Sequence, residues 1–79
     1  MKNELIESLL TSDILENMEF GSLLLASKDI PENEREEHIR ELMSRYFNND
    51  NLPISVINNL IEAYSTLSTN SIKNRLKEL

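Results

Sequence analysis

Ile39, Leu42, Met43, Tyr46 and Phe47 recur at i, i+3, i+4, i+7 and i+8, a spacing that no β-strand can gather on one side. A strand alternates faces at every residue, whereas a helix of about 3.6 residues per turn stacks all five into a single apolar stripe. Pro31 precedes this segment, where its fixed φ suits a helix start and its missing N–H is no loss. Glu32, Glu34, Glu36 and Glu37 then crowd the positive end of the helix dipole. The pattern predicts a helix from about residue 31 through Phe47.

The rest of the chain follows the same logic. With one Gly and two Pro in 79 residues, turn formers are scarce, and short polar breaks are the natural boundaries. Leu5, Ile6, Leu9 and Leu10 share a face of a first helix that Thr11-Ser12-Asp13 should end. Asp13 followed by Glu16 fits an N-terminal cap for a second helix running to about Ser27, with Ile14, Met18, Gly21 and Leu25 inward. Asn48-Asn49-Asp50-Asn51 predicts a loop. Pro53 should open a helix lined by Ile54, Ile57, Leu60, Ile61 and Tyr64. A fifth, capped by Thr69 or Asn70, would turn Ile72, Leu76 and Leu79 inward. The expectation is one all-α domain over residues 1–79, a compact bundle of four to five short helices. Its core would hold Leu9, Ile14, Met18, Leu25, Ile39, Leu42 and Met43, together with Tyr46, Ile57, Leu60, Ile61, Ile72 and Leu76.

Composition excludes several functional classes. No cysteine is present, which removes disulfides, thiolate metal sites and cysteine nucleophiles together. No apolar run approaches a membrane span, and Glu4 and Glu7 interrupt the first ten residues where a signal peptide would be uniformly apolar. A soluble, cytoplasmic protein is expected. The single histidine, His38, has only Glu34, Glu37 and Glu41 near it along its helix, too few companions for a metal or catalytic site, so it is read as a surface residue. A calcium loop starting at Asn48 would place Pro53 where the turn glycine belongs and Asn59 where a bidentate Glu is needed. Size, acidity and helicity resemble acyl carrier proteins, in which a serine preceded by Asp and followed by Leu carries the prosthetic arm. Ser22 precedes Leu23, but Gly21 stands at the Asp position and Ser22 lies well before mid-chain. No catalytic residue, metal or cofactor is expected.

Two binding readings remain. Residues 1–50 hold 12 acidic and 5 basic side chains, against 2 and 3 in residues 51–79. Such a surface repels phosphate and attracts basic partners within a screening length of about 8–10 Å. If Ile14, Met18 and Leu25 face inward, then Phe20, Leu23 and Leu24 project elsewhere, and so small a chain has difficulty covering both sides of one helix. The leading expectation is a non-enzymatic protein-binding module, a regulator, chaperone, antitoxin-like or immunity-type factor, and a candidate homodimer. It would dock through Phe20, Leu23 and Leu24 and steer a basic protein partner with Glu34, Glu37 and Glu41. The alternative is a helix-turn-helix DNA-binding regulator that presents Asn70, Lys73, Asn74 and Lys77 at i, i+3, i+4 and i+7 on its last helix.

Overall fold

A computed structural model describes residues 2–67, which form four α-helices and no strand: α1 (Glu4–Leu10), α2 (Leu15–Leu24), α3 (Glu32–Phe47) and α4 (Ile54–Tyr64). The expected fifth helix, with its inward Ile72 and Leu76, lies outside the described residues. Among the described residues, no helix is long and apolar enough to cross a membrane.

Each boundary has a local cause. Asn3 caps α1, its side-chain oxygen accepting the Ile6 N–H at 3.1 Å. Thr11 closes that helix and turns its hydroxyl back to the Glu7 carbonyl at 2.8 Å. Pro31 and Pro53 stand immediately ahead of α3 and α4, as their chemistry requires. The loop after α3 begins with a Schellman turn. Asn49 takes a positive φ of 63°, its N–H reaches the Tyr46 carbonyl and the Asp50 N–H reaches the Arg45 carbonyl. Asparagine tolerates this left-handed conformation better than any other residue except glycine.

The expected cap of α2 does not form. Ile14, not Asp13, is the N-cap and carries no side-chain cap bond; Ser12 Oγ accepts the Ile14 N–H and one Asn17 amide N–H, both at 3.1 Å. Beginning one residue later, the helix leaves Ile14 56% exposed instead of buried.

Helix α2 packs on both α1 and α4, and α3 packs on α4. Gly21 makes the first of these contacts possible, because a Cβ built there would lie 2.8 Å from Leu9 Cβ. The core gathers Ile6 and Leu10 of α1, Leu25 after α2, Ile39 and Leu42 of α3, and Val56, Leu60 and Ala63 of α4. Leu52 and Leu67 close its ends. Leu25, Ile39, Leu42 and Leu60 match expectation; Leu9, Met18, Met43 and Ile57 are half-buried. Tyr46 and Ile61 do not match, being 47% and 65% exposed. The apolar arc of α4 is wider than one face, and the helix is turned so that Val56, Leu60 and Ala63 point inward. A polar link sets that rotation: Asn59 Nδ2 donates to Ser22 Oγ at 3.0 Å and to the Glu19 carbonyl at 3.3 Å.

Arg35 is the unexpected member of the interior, only 5% exposed. Its Nε donates to the Ile30 carbonyl at 2.9 Å, and its Nη1 donates to the Leu25 carbonyl at 3.1 Å and to Thr66 Oγ1 at 2.8 Å. One guanidinium thus joins the end of α2, the loop before α3 and the turn after α4. Placed beside the end of α2, the cation also opposes the negative pole of that helix.

Two substitutions test this packing. Gly21→Ala gains about 1 kcal/mol of helix propensity but forces α1 and α2 apart, at about 1–3 kcal/mol for overpacking, so urea denaturation should show net destabilisation. Arg35→Met leaves three acceptors without their donor and should cost about 3 kcal/mol or more by the same measurement.

Candidate protein-binding surface

The site residues expected from the sequence divide into three groups. On α2, Phe20 and Leu23 stand at i and i+3, one turn apart on the same side, and are 52% and 55% exposed. Leu24 differs, being half-buried and packed against the core. Of the three residues expected to dock, Phe20 and Leu23 are therefore the exposed ones, and Leu15 in the first turn of α2 is 47% exposed as well. On α3, Glu34, Glu37 and Glu41 are each half-buried on one side of the helix. The third group, Asn70, Lys73, Asn74 and Lys77, lies outside the described residues.

Acidic charge on α3 is partly countered within the chain. Lys2 forms an ion pair with Glu41, and its Nζ is also 4.0 Å from Glu7 Oε2. The Glu41 hydrogen bond, helped by the negative charges of Glu41, Glu7 and Glu37, holds the Lys2 ammonium above its ordinary pKa of 10.5 against the opposing effect of desolvation. Along α3, Glu36 pairs with Arg40 one turn on at 3.4 Å. Lys2 takes Glu41, and Arg45 Nε lies 3.4 Å from Asp50 Oδ2.

His38 is not a surface residue; its side chain is fully buried. The backbone N–H of Asn3 donates to His38 Nε2 at 3.0 Å, which draws the N-terminal cap of α1 onto α3. Nδ1 points towards Glu7 Oε2 at 3.5 Å without a formed hydrogen bond. The sequence hid this because the partners, Asn3 and Glu7, come from another helix more than thirty residues away.

Glu7, His38 and Glu41 bring potential ligand atoms within 4.8 Å of one another. The hydrogen bonding opposes a metal there. With Nε2 accepting the Asn3 N–H, the neutral ring carries its proton on Nδ1, the atom that would have to offer a lone pair. Moving the proton to Nε2 would set two donors against each other, and metal-bound imidazole normally donates from its second nitrogen. The Lys2 ammonium already supplies a positive charge to both carboxylates. The cluster fits a clamp of the N-terminal residues onto α3.

Ser22 also has a structural position. It is fully buried, donates to the Glu19 carbonyl at 2.8 Å and accepts from Asn59, so the hydroxyl that invited comparison with acyl carrier proteins is enclosed.

A further apolar surface was not foreseen. Met43, Tyr46 and Phe47 of α3 face Ile57, Ile61 and Tyr64 of α4 across a groove of about 230 Å³, with Leu60 also lining it. The Tyr46 and Phe47 rings meet edge to face, 5.7 Å between centroids and 63° between planes. The sequence signal was a surplus, since α4 carries apolar residues over much more than one helical face. Assigning Tyr46 and Ile61 to the core concealed it.

Compared with known proteins, the chain matches no family model, no curated protein and no solved structure.

The clamp can be read directly by NMR titration of the Lys2 ammonium. Because its folded-state pKa lies above 10.5, the charged pair is complete below that pH and is lost as pH rises through the folded value. Glu41→Gln should move the Lys2 midpoint back towards its ordinary value; an unmoved midpoint would contradict the assignment.

Proposed function

We propose that this chain is a non-enzymatic protein-binding module, of the regulator, chaperone, antitoxin-like or immunity type, whose partner is a basic protein surface. The observation that carries the reading is apolar exposure in a small body. Nine large hydrophobic side chains among the described residues are 47% exposed or more, and on α2 Phe20 and Leu23 form an adjacent pair. Scattered apolar side chains are normal on a protein surface, but an adjacent aromatic and aliphatic pair suits partner docking. The formal charge of −6 supports a basic partner, with Glu34 and Glu37 contributing to long-range attraction.

In this mechanism attraction accelerates encounter and apolar burial sets residence time. Raising salt should slow association much more than it speeds dissociation.

Affinity capture with the tagged full-length chain from its native cell, followed by sizing of the untagged protein, tests the reading. One stoichiometric protein partner is expected with the natural chain and with an Ile54→Ser control. Phe20→Ser/Leu23→Ser should weaken that partner by about 2 kcal/mol or more, roughly thirtyfold, with helix content unchanged. A homodimer without any second protein would narrow the function to self-association. Recovery of DNA alone would favour the helix-turn-helix reading through Lys73, Asn74 and Lys77 and overturn this one.

A further inference from the structure

The groove between α3 and α4 is an uncharged strip on an acidic protein. None of the residues lining it carries a charge. The five acidic residues of α3 end at Glu41, before Met43, Tyr46 and Phe47; the one later charge on that helix, Arg45, lies 3.4 Å from Asp50. Glu62 is the single charged residue of α4. We propose that the groove is filled by the same groove of a second copy of this chain, in a twofold-symmetric dimer.

Three observations select a second copy over another occupant. The first is charge. A twofold axis sets identical patches against each other, and with a formal charge of −6 on each chain most patches would oppose like charges. At about 3.6 residues per turn, Met43, Tyr46 and Phe47 fall on nearly the opposite side of α3 from Glu34, Glu37 and Glu41. Pairing through the groove therefore keeps those glutamates out of the contact. The same placement argues against a basic partner here, because the acidic side that would attract it points elsewhere.

The second is composition. Met43, Tyr46, Phe47 and Tyr64 stand together without a charged neighbour in the lining, and aromatic residues and Met are enriched at the centre of protein interfaces where charge is depleted. The third is shape. Phe47 projects from the α3 margin and Ile61 from the α4 margin, 68% and 65% exposed, while Leu60 between them is 5% exposed. One face thus supplies both projections and a hollow, the combination that a self-complementary contact needs. Exposed Ile54, at i with Ile57 and Ile61 at i+3 and i+7, extends the contact along α4. The inference is independent of the basic partner proposed for α2, since Phe20 and Leu23 do not line the groove.

Sedimentation equilibrium of the full-length chain over a dilution series tests the dimer. The expected result is a monomer–dimer equilibrium whose Kd rises about thirtyfold or more in Phe47→Ser/Ile61→Ser and is unchanged in Phe20→Ser/Leu23→Ser. Raising salt should tighten the dimer by screening repulsion between the two acidic bodies, the reverse of its effect on a complex with a basic partner. In a mixture of isotope-labelled and unlabelled chains, filtered nuclear Overhauser effects should connect Phe47 and Ile61 of one chain to groove residues of the other. A monomer at every concentration would overturn the proposal, as would a dimer loosened by salt or one lost in the α2 variant. Should the groove substitutions unfold the protein, the effects between natural chains still decide: contacts centred on Phe20 and Leu23 would refute the assignment. The two readings fail separately, because a monomer leaves the basic partner untouched and a missing partner leaves the dimer untouched.

Discussion

The fold depends most on a cation placed where cations rarely go. Arg35 is buried, and its partners among the described residues are two carbonyls and a hydroxyl, with no carboxylate. Removing a guanidinium from water is costly, and only well-placed acceptors offset that cost. Those acceptors come from the end of α2, the loop before α3 and Thr66 beyond α4, so the bonds can form only when all three segments are in place. The arrangement penalises partial structures in which one of these segments is displaced. For so small a body, with few buried side chains to enforce a single packing, such an all-or-none contact contributes specificity that apolar burial alone does not.

The second constraint is the position of α2, which packs on α1 by one side and α4 by another. Gly21 allows the close approach to Leu9 that the first contact needs, and Asn59 reaches across to Ser22 and Glu19 in the second. With those sides committed, Phe20 and Leu23 are left outside. The exposed pair follows from the geometry of a helix serving two neighbours at once. Gly21 thus serves packing within the chain.

How much of this could be read from the sequence depended on how local each cause was. The starts of α3 and α4 followed from Pro31 and Pro53, and the stripe through Ile39 and Leu42 located the inner side of α3, because all of these are properties of adjacent residues. The rotation of α4 was illegible: with Ile54, Val56, Ile57, Leu60, Ile61, Ala63 and Tyr64 spread around it, several orientations bury similar apolar area. The choice is made by Asn59 meeting α2. His38 and Arg35 were hidden for the same reason. Each is charged or titratable by type and buried by virtue of partners distant in sequence. The exposure of Phe20 and Leu23 was accessible because it follows from excess, more apolar residues on α2 than one face can take, whereas Leu24 turned inward on packing that local pattern does not encode.

The Ser22–Asn59 contact has one more consequence. Two apolar helices pressed together can slide or roll with little change in energy, much as two smooth cylinders can, whereas a hydroxyl and an amide that satisfy each other do so at a single setting. Their pairing acts as an index pin between α2 and α4. An all-carbon replacement of the pair would leave the interface greasy and stable yet without a defined angle. The orientation of the outward side of α4, and so the shape of every surface built on it, would drift with that angle.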